Sequence, residues 1–299
     1  MVSLLKKYAR QYDAVFVDKP TEADVIFTND VFPQVALALK VPRVKRMDGI
    51  FWQLDLMQRN EPYVQACLQA DYVVFISSYS RMIYAELFPQ PKRHVIIRSC
   101  PDPGVFNLGE RPNRHVPEKP VAVVACATSW NRPEKRFVAI EALAQLNPGV
   151  YFMLVGALRD RSLYPCQAKN VEFTGVLEPD ALADVLHEAG AFVNLSYRDP
   201  GPKVVAEAEK SGLPIFYADS GGTSEMVGPG TGVRDEQRAL FEPEVPTLDY
   251  GLMQQEWLKF NDQYSYLAKR ALRADPIADS RLCLEHYFKI LKEATNAVG

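Results

Sequence analysis

The chain has 299 residues, 47% of them hydrophobic and 24% charged, with a formal net charge of −3. That length accommodates two α/β domains with buried cores, and the mildly acidic balance gives no reason to expect a nucleic-acid binder. No stretch approaches the roughly 20 apolar residues of a membrane-spanning helix. The opening MVSLLKKYARQYD meets charges too soon for a secretory signal and reads as an amphipathic helix.

Strands are predicted in chain order at 14–17 (AVFV), 24–28, 43–48, 72–77 and 94–99, then after a break at 121–128, 150–156, 171–175, 191–196 and 214–219. Helical spacing falls between them at 31–40, 55–69, 80–87, 135–146, 179–189, 202–211 and 222–227, and helices rich in Tyr, Leu and Lys follow residue 250. Continuous apolar runs suit strands covered on both faces, and the helices are long enough for right-handed crossovers. The predicted fold class is α/β, with two parallel-sheet, Rossmann-like domains.

The stretch NLGERPNRHVPEKP (107–120) lacks periodicity and is followed at once by a buried strand. It sets the expected boundary: residues 1–115 form an N-terminal domain and 116–279 a C-terminal one, with a last helix at 280–299 returning to the first. The first domain starts inside a helix, without the strand and glycine-rich turn that open a dinucleotide-type domain, so it reads as truncated. The five cysteines, Cys67, Cys100, Cys126, Cys166 and Cys283, form no C-x-x-C pair. Reduced thiols in a cytoplasmic protein are expected, not a zinc site or a disulfide framework.

The most informative stretch is FVNLSYRDPGPKVVAEAEKSGLPIFYADSGGTSEMV (192–227). A buried strand ends at Ser196, and a polar loop with Asp199 and Gly201 leads into a helix carrying Lys203, Val204 and Glu207. Carboxylates at the carboxyl end of a parallel strand face the crevice where such folds bind ligands. Helix-start N–H groups there can hold a phosphate, and a carboxylate can accept two neighbouring ribose hydroxyls. An ordinary solvated loop and helix is the plainer alternative.

Here the sequence resembles glycosyltransferase family 4, whose E-x7-E pattern is matched by Asp199-x7-Glu207, followed by Ala208, Gly212, Pro214, Gly221, Gly222 and Glu225. The resemblance implies the GT-B fold, two Rossmann-like domains facing across a cleft. It also implies retaining transfer from a nucleotide diphosphate sugar, with no metal and no cofactor beyond that co-substrate. By the family pattern Asp199 lies beside the donor sugar and Glu207 holds the ribose. In SWNRPEKRFVAIEAL (129–143) Lys135 falls on the family's lysine. Trp130 occupies the position of the family's arginine, so Arg132 is expected to supply the second charge on the diphosphate. A fixed cation there offsets charge that grows as the diphosphate departs; the alternative leaves Lys135 and Arg136 solvated at a helix start.

IIRSCPDPGVF (96–106), FMLVG (152–156) and VEFTGVLEPDALADVLHEAGAFV (171–193) resemble further family segments, and the resemblance places Gly175 and Val176 near the nucleotide base. On the acceptor side, the strand ending Lys45-Arg46-Met47-Asp48-Gly49 carries no histidine where the family has one, so Asp48, supported by Arg46, is the candidate there. Phe51 and Trp52 are suited to stacking on a sugar ring or to the core. The expected partners are the donor and a glycan, lipid-linked or small-molecule acceptor. Contact with a membrane is peripheral at most, through Lys6, Lys7 and Arg10. The chain holds no D-x-D triplet and no G-x-x-x-x-G-K-[ST] loop, which disfavours metal-dependent GT-A transferases and ATPases. Two rivals remain: a non-catalytic nucleotide-sugar or glycan binder of GT-B fold, and a nucleotide-sugar epimerase.

Overall fold

A computed structural model of the chain describes residues 1–109, 115–160, 162, 165–235, 241, 244–273 and 279–296. The chain divides into two compact units: Met1–Ser99 with Ala239–Pro243 and Asp279–Gly299, and Cys100–Arg238 with Glu244–Ala278.

The first unit holds α1 (Val2–Tyr8), β1 (Ile26–Thr28), α2 (Gln34–Ala38), β2 (Arg43–Met47), α3 (Glu61–Gln69), β3 (Tyr72–Phe75), α4 (Ser78–Leu87) and β4 (His94–Ile96). Its strands pair in parallel in the order β1-β2-β3-β4. β2 and β3 are central and nearly all buried; the apolar run YVVF of β3 suits that position, whereas β2, RVKRM, buries Lys45 and Arg46 as well. Phe32, Met47, Val64, Cys67, Val73, Phe75 and Tyr84 form the core beside them. α4 starts where Ser77 and Ser80 cap each other reciprocally, at 2.9 and 3.2 Å. Lys45 is a polar intruder, 1% exposed, its ammonium donating to the Arg46 carbonyl at 2.5 Å. Burial pushes its pKa down.

The predicted strand at 14–17 does not form. Val15 is 81% exposed, and the segment leaves α1 through a turn in which Ala14 N–H bonds the Ala9 carbonyl at 3.1 Å. A β-branched run makes a strand only where a partner edge receives it, and the described sheet begins at β1. The helix expected at 31–40 shortens to α2, because Pro33 and Leu39 are extended. The one expected at 55–69 opens as a 3-10 turn, Leu54–Asn60, before α3.

The second unit holds β5 (Ala122–Ser129), α5 (Phe137–Leu146), β6 (Tyr151–Ala157), β7 (Val171–Gly175), α6 (Pro179–Glu188), β8 (Ala191–Asn194), α7 (Lys203–Lys210), β9 (Ile215–Asp219), β10 (Gly230–Arg234) and α8 (Tyr250–Ala271). All its strand pairs are parallel, in the order β10-β9-β8-β5-β6-β7. β8 lies inside the sheet and every residue of it is buried. α8, capped by Asp249 on the Leu252 N–H at 3.0 Å, lays Trp257 edge-on against Phe216, ring centroids 5.0 Å apart. β10 was not anticipated: its GTGVR buries only Val233, so no apolar run announces it. The helix expected at 222–227 is a short 3-10 turn, Ser224–Met226.

The last helix, α9 (Ser280–Asn296), belongs to the first unit. Phe288 stacks on Tyr12 at 4.5 Å and Tyr287 meets Phe27 edge-on at 5.9 Å. The units divide at Ser99/Cys100, ahead of the expected 107–120. The reason is Phe106, which is buried in the second unit's core with Val124, Val155 and Phe192. The Asn107 carbonyl, 2.8 Å from His187 Nε2, is held there as well. Among the described residues no helix is long and apolar enough to cross a membrane.

Candidate active site

In the second unit the chain lays β6 and β7 on one side of β5, then crosses to lay β8, β9 and β10 on the other. Where a parallel sheet reverses its order of winding, the loops leaving two adjacent strands diverge, and a crevice opens beyond their carboxyl ends. Here those strands are β5 and β8. The loops are 130–136, leading to α5, and 195–202, leading to α7.

The first loop is built on two buried anchors. Trp130, 2% exposed, bonds its backbone N–H to the Ala157 carbonyl at 2.8 Å and its indole N–H to the Val155 carbonyl at 3.2 Å. Arg136 closes the 3-10 turn Pro133–Lys135 in the left-handed region, φ 49°. Its guanidinium grips Asp235 at 2.7 and 3.2 Å, donates to the Pro246 carbonyl at 2.8 Å and lies 4.7 Å from the Tyr197 ring centre. Arg136 is therefore no solvated residue at a helix start. Nothing in local sequence marks this clamp, since its charged partners are 99 positions apart. With Trp130 and Arg136 turned inward, Lys135 is left to face the second loop.

That loop is tied to the first where Tyr197 N–H bonds the Glu134 carbonyl at 2.8 Å. It turns at Arg198, φ 52°, whose N–H bonds Ser220 Oγ at 2.9 Å. The Asp199 carbonyl accepts from Gly222 N–H at 2.8 Å. Asp199 Oδ2 meets Lys135 Nζ at 2.7 Å, both side chains mostly buried, and Oδ1 accepts from Gly201 N–H at 3.2 Å. Both oxygens of this carboxylate thus have protein partners.

α7 carries the second acid. Glu207 presents an 8% exposed side chain, and Lys203, one turn earlier, places Nζ 2.7 Å from its Oε1. Burial raises the Glu207 pKa while the Lys203 ammonium opposes the rise. The Cys126 thiol on β5 lies within the field of Glu207, and burial first, then that charge, push its pKa well above the ordinary range. The Lys203–Glu207 pair has the i,i+4 spacing of a helix ion pair and was legible in the sequence, though unremarked there.

The expected site residues therefore fall into groups. Lys135 and Gly201 both contact Asp199, and Lys203 and Glu207 form a second pair on the adjoining helix. Arg132 is 57% exposed and engaged by Glu134, with Nε 2.7 Å from Oε1. Val204 packs against the core that contains Val205 and Ala208. Val176 is 71% exposed beyond β7, the far edge strand of the sheet. Asp48 belongs to the first unit, follows β2 and pairs with Arg46 Nε at 2.8 Å; the same guanidinium reaches Ser99 Oγ at 3.1 Å. Trp52 is buried and its carbonyl accepts from Phe241 N–H at 2.8 Å.

Residues 116–247 match the family described as glycosyl transferases group 1. The matched stretch spans less than half of the chain and contains both loops. Among solved structures the chain is similar to HepE of Anabaena, crystallised with UDP-glucose, at 18% identity and a TM-score of 0.65, over 98% of this chain and 82% of that one. It is also similar to sucrose-phosphate synthase of Thermosynechococcus elongatus, at 16% identity and a TM-score of 0.66, over 99% and 77% of the two chains. A third is a glycosyltransferase of Rickettsia africae, at 14% identity and a TM-score of 0.61, over 98% and 80%. No curated protein matches the chain by sequence. At these identities the structural likeness is one of fold, and the fold is the α/β, GT-B one. With the family match, it supports a GT-B glycosyltransferase.

Proposed function

We propose that the chain is a retaining glycosyltransferase of the family 4 kind, moving a sugar from a nucleotide diphosphate sugar to a hydroxyl acceptor without a metal. The observation that carries the reading is the placement of Lys135 on the loop that leaves β5 and of Glu207 on α7, the helix that follows the loop leaving β8, where the sheet reverses. The group 1 match covers both, and HepE, of the same fold, binds UDP-glucose. In this reading Glu207 accepts the two ribose hydroxyls, and the Lys135 ammonium lies against the diphosphate. As the bond from the anomeric carbon to the diphosphate oxygen breaks, negative charge gathers on the leaving group and Lys135 offsets it. The acceptor hydroxyl then bonds to the same face of the anomeric carbon, and its proton passes to the departing diphosphate oxygen. Asp199, with both oxygens engaged, holds the Lys135 ammonium in position and is not the main contact to the sugar. Asp48 is the acceptor-side carboxylate.

The test is incubation with a panel of nucleotide diphosphate sugars and hydroxyl acceptors in the presence of EDTA. The expected result is a glycosylated product with the anomeric configuration of the donor, together with free nucleoside diphosphate. An inverted product would remove the retaining assignment, and loss of activity in EDTA the metal-free one.

A second reading, nucleotide-sugar binding without transfer, is favoured by one observation: the carboxylate expected beside the sugar is occupied by Lys135 and Gly201. Tight binding with neither transfer nor slow hydrolysis of any donor would select it.

A further inference from the structure

Glu207 is a buried carboxylate, and among the described residues the cation recorded on it is Lys203, 2.7 Å from Oε1. α7 packs on β8 and β9. The titratable side chain facing Glu207 from the sheet is Cys126 on β5, a thiol kept uncharged by burial; Tyr217 on β9 is held protonated by burial and faces Asp219. No charge from these strands opposes the desolvation of Glu207, so its ionised form depends on the ammonium one turn away. Lys203 itself is 53% exposed and reaches inward from the helix start.

We propose that Lys203 is a positioning residue for nucleotide binding that acts through Glu207, keeping this buried carboxylate ionised and oriented to accept the ribose hydroxyls. The proposal rests on the reading that Glu207 holds the ribose. It differs from a direct contact of Lys203 with the donor phosphates. Its consequence is a pH dependence of fixed sign. Burial raises the Glu207 pKa and Lys203 lowers it. Without Lys203 only the raising influence remains, so the carboxyl takes up its proton at a higher pH. A protonated carboxyl turns one oxygen into a donor and no longer accepts one hydroxyl on each oxygen, which weakens its hold on the hydroxyl pair. Nucleotide affinity should therefore fall on acidification in the native chain, and fall at a higher pH when Lys203 is removed.

The test titrates UDP, GDP and ADP into the native chain, carries the tightest binder forward, and measures its affinity from about pH 4.5 to about pH 8.5. Lys203→Met should weaken binding at neutral pH by about tenfold or more and move the midpoint of the pH curve upward. Lys203→Arg, which keeps the charge, should restore both. In a Glu207→Gln background, Lys203→Met should change neither affinity nor pH dependence. A Lys203→Met curve lowered everywhere but with its midpoint unmoved overturns the proposal, because a cation that only meets the phosphates, or only supports the fold, scales the curve without shifting it. A native chain that binds none of the three nucleotides overturns the nucleotide-binding reading itself, which separates the two failures.

Discussion

Gly156→Ala is expected to destabilise the second unit strongly. Gly156 sits near the end of β6 with φ 126°, a conformation that side chains other than glycine's rarely adopt. A Cβ there would lie 1.7 Å from the Ala127 carbonyl oxygen and 2.8 Å from its carbon. Both neighbours are backbone, so no side-chain rotation relieves the overlap; β5 and β6 would have to separate. This is where their register shifts, between Cys126 and Ser129, and where Trp130 bonds the carbonyls of Val155 and Ala157. Backbone strain and overpacking each cost about 1–3 kcal/mol, and their sum is a large part of the roughly 5–15 kcal/mol that holds a domain folded. Thermal melts followed by circular dichroism should show the transition lowered by more than about 10 °C. A melting temperature equal to that of the native chain would show that the strands are not closed against each other at this point.

Gly221→Ala should spare most of the fold and remove donor binding. Gly221 has φ 68°, and a Cβ would stand 2.4 Å from the Asp199 carbonyl oxygen and 2.8 Å from the Asp199 nitrogen. That carbonyl accepts from Gly222 N–H, so relief comes by moving the Asp199 loop off the loop of Gly221 and Gly222. The carboxylate then leaves Lys135, and the cation proposed for the diphosphate loses its mooring. Nucleoside diphosphate affinity should fall at least about tenfold, with a stability loss of about 1–3 kcal/mol measured by urea unfolding. Unchanged affinity in a folded Gly221→Ala protein would mean that the position of Asp199 has no bearing on the ligand.

The parallel α/β class was legible because buried strands such as β8 leave uninterrupted apolar runs, and because helices of crossover length separate them. Where the apolar signal was absent or unpartnered, reading failed. β10 is an edge strand with two glycines in five residues and was missed. The Val15 segment has the right residues but is exposed and pairs with no strand of the described sheet. At the site, the resemblance to glycosyltransferase family 4 pointed to Asp199 and Glu207 through the D-x7-E spacing and to Lys135 through the family's lysine position. The contacts that give these side chains their roles were out of reach. Lys135 and Asp199 are 64 positions apart, Arg136 and Asp235 99, and only the folded sheet brings them together. The same geometry pairs Asp199 with Lys135 and Arg132 with Glu134.

The account is tested most directly by calorimetric titration of three ligands, uridine, UDP and UDP-glucose, into the native chain, Lys135→Ala and Glu207→Ala. If Glu207 holds the ribose, Glu207→Ala weakens all three by about tenfold or more. If Lys135 meets the diphosphate, Lys135→Ala weakens UDP and UDP-glucose to a similar degree and leaves uridine unaffected. Native affinity for all three ligands in both variants would contradict the assignment of these loops to a nucleotide-sugar.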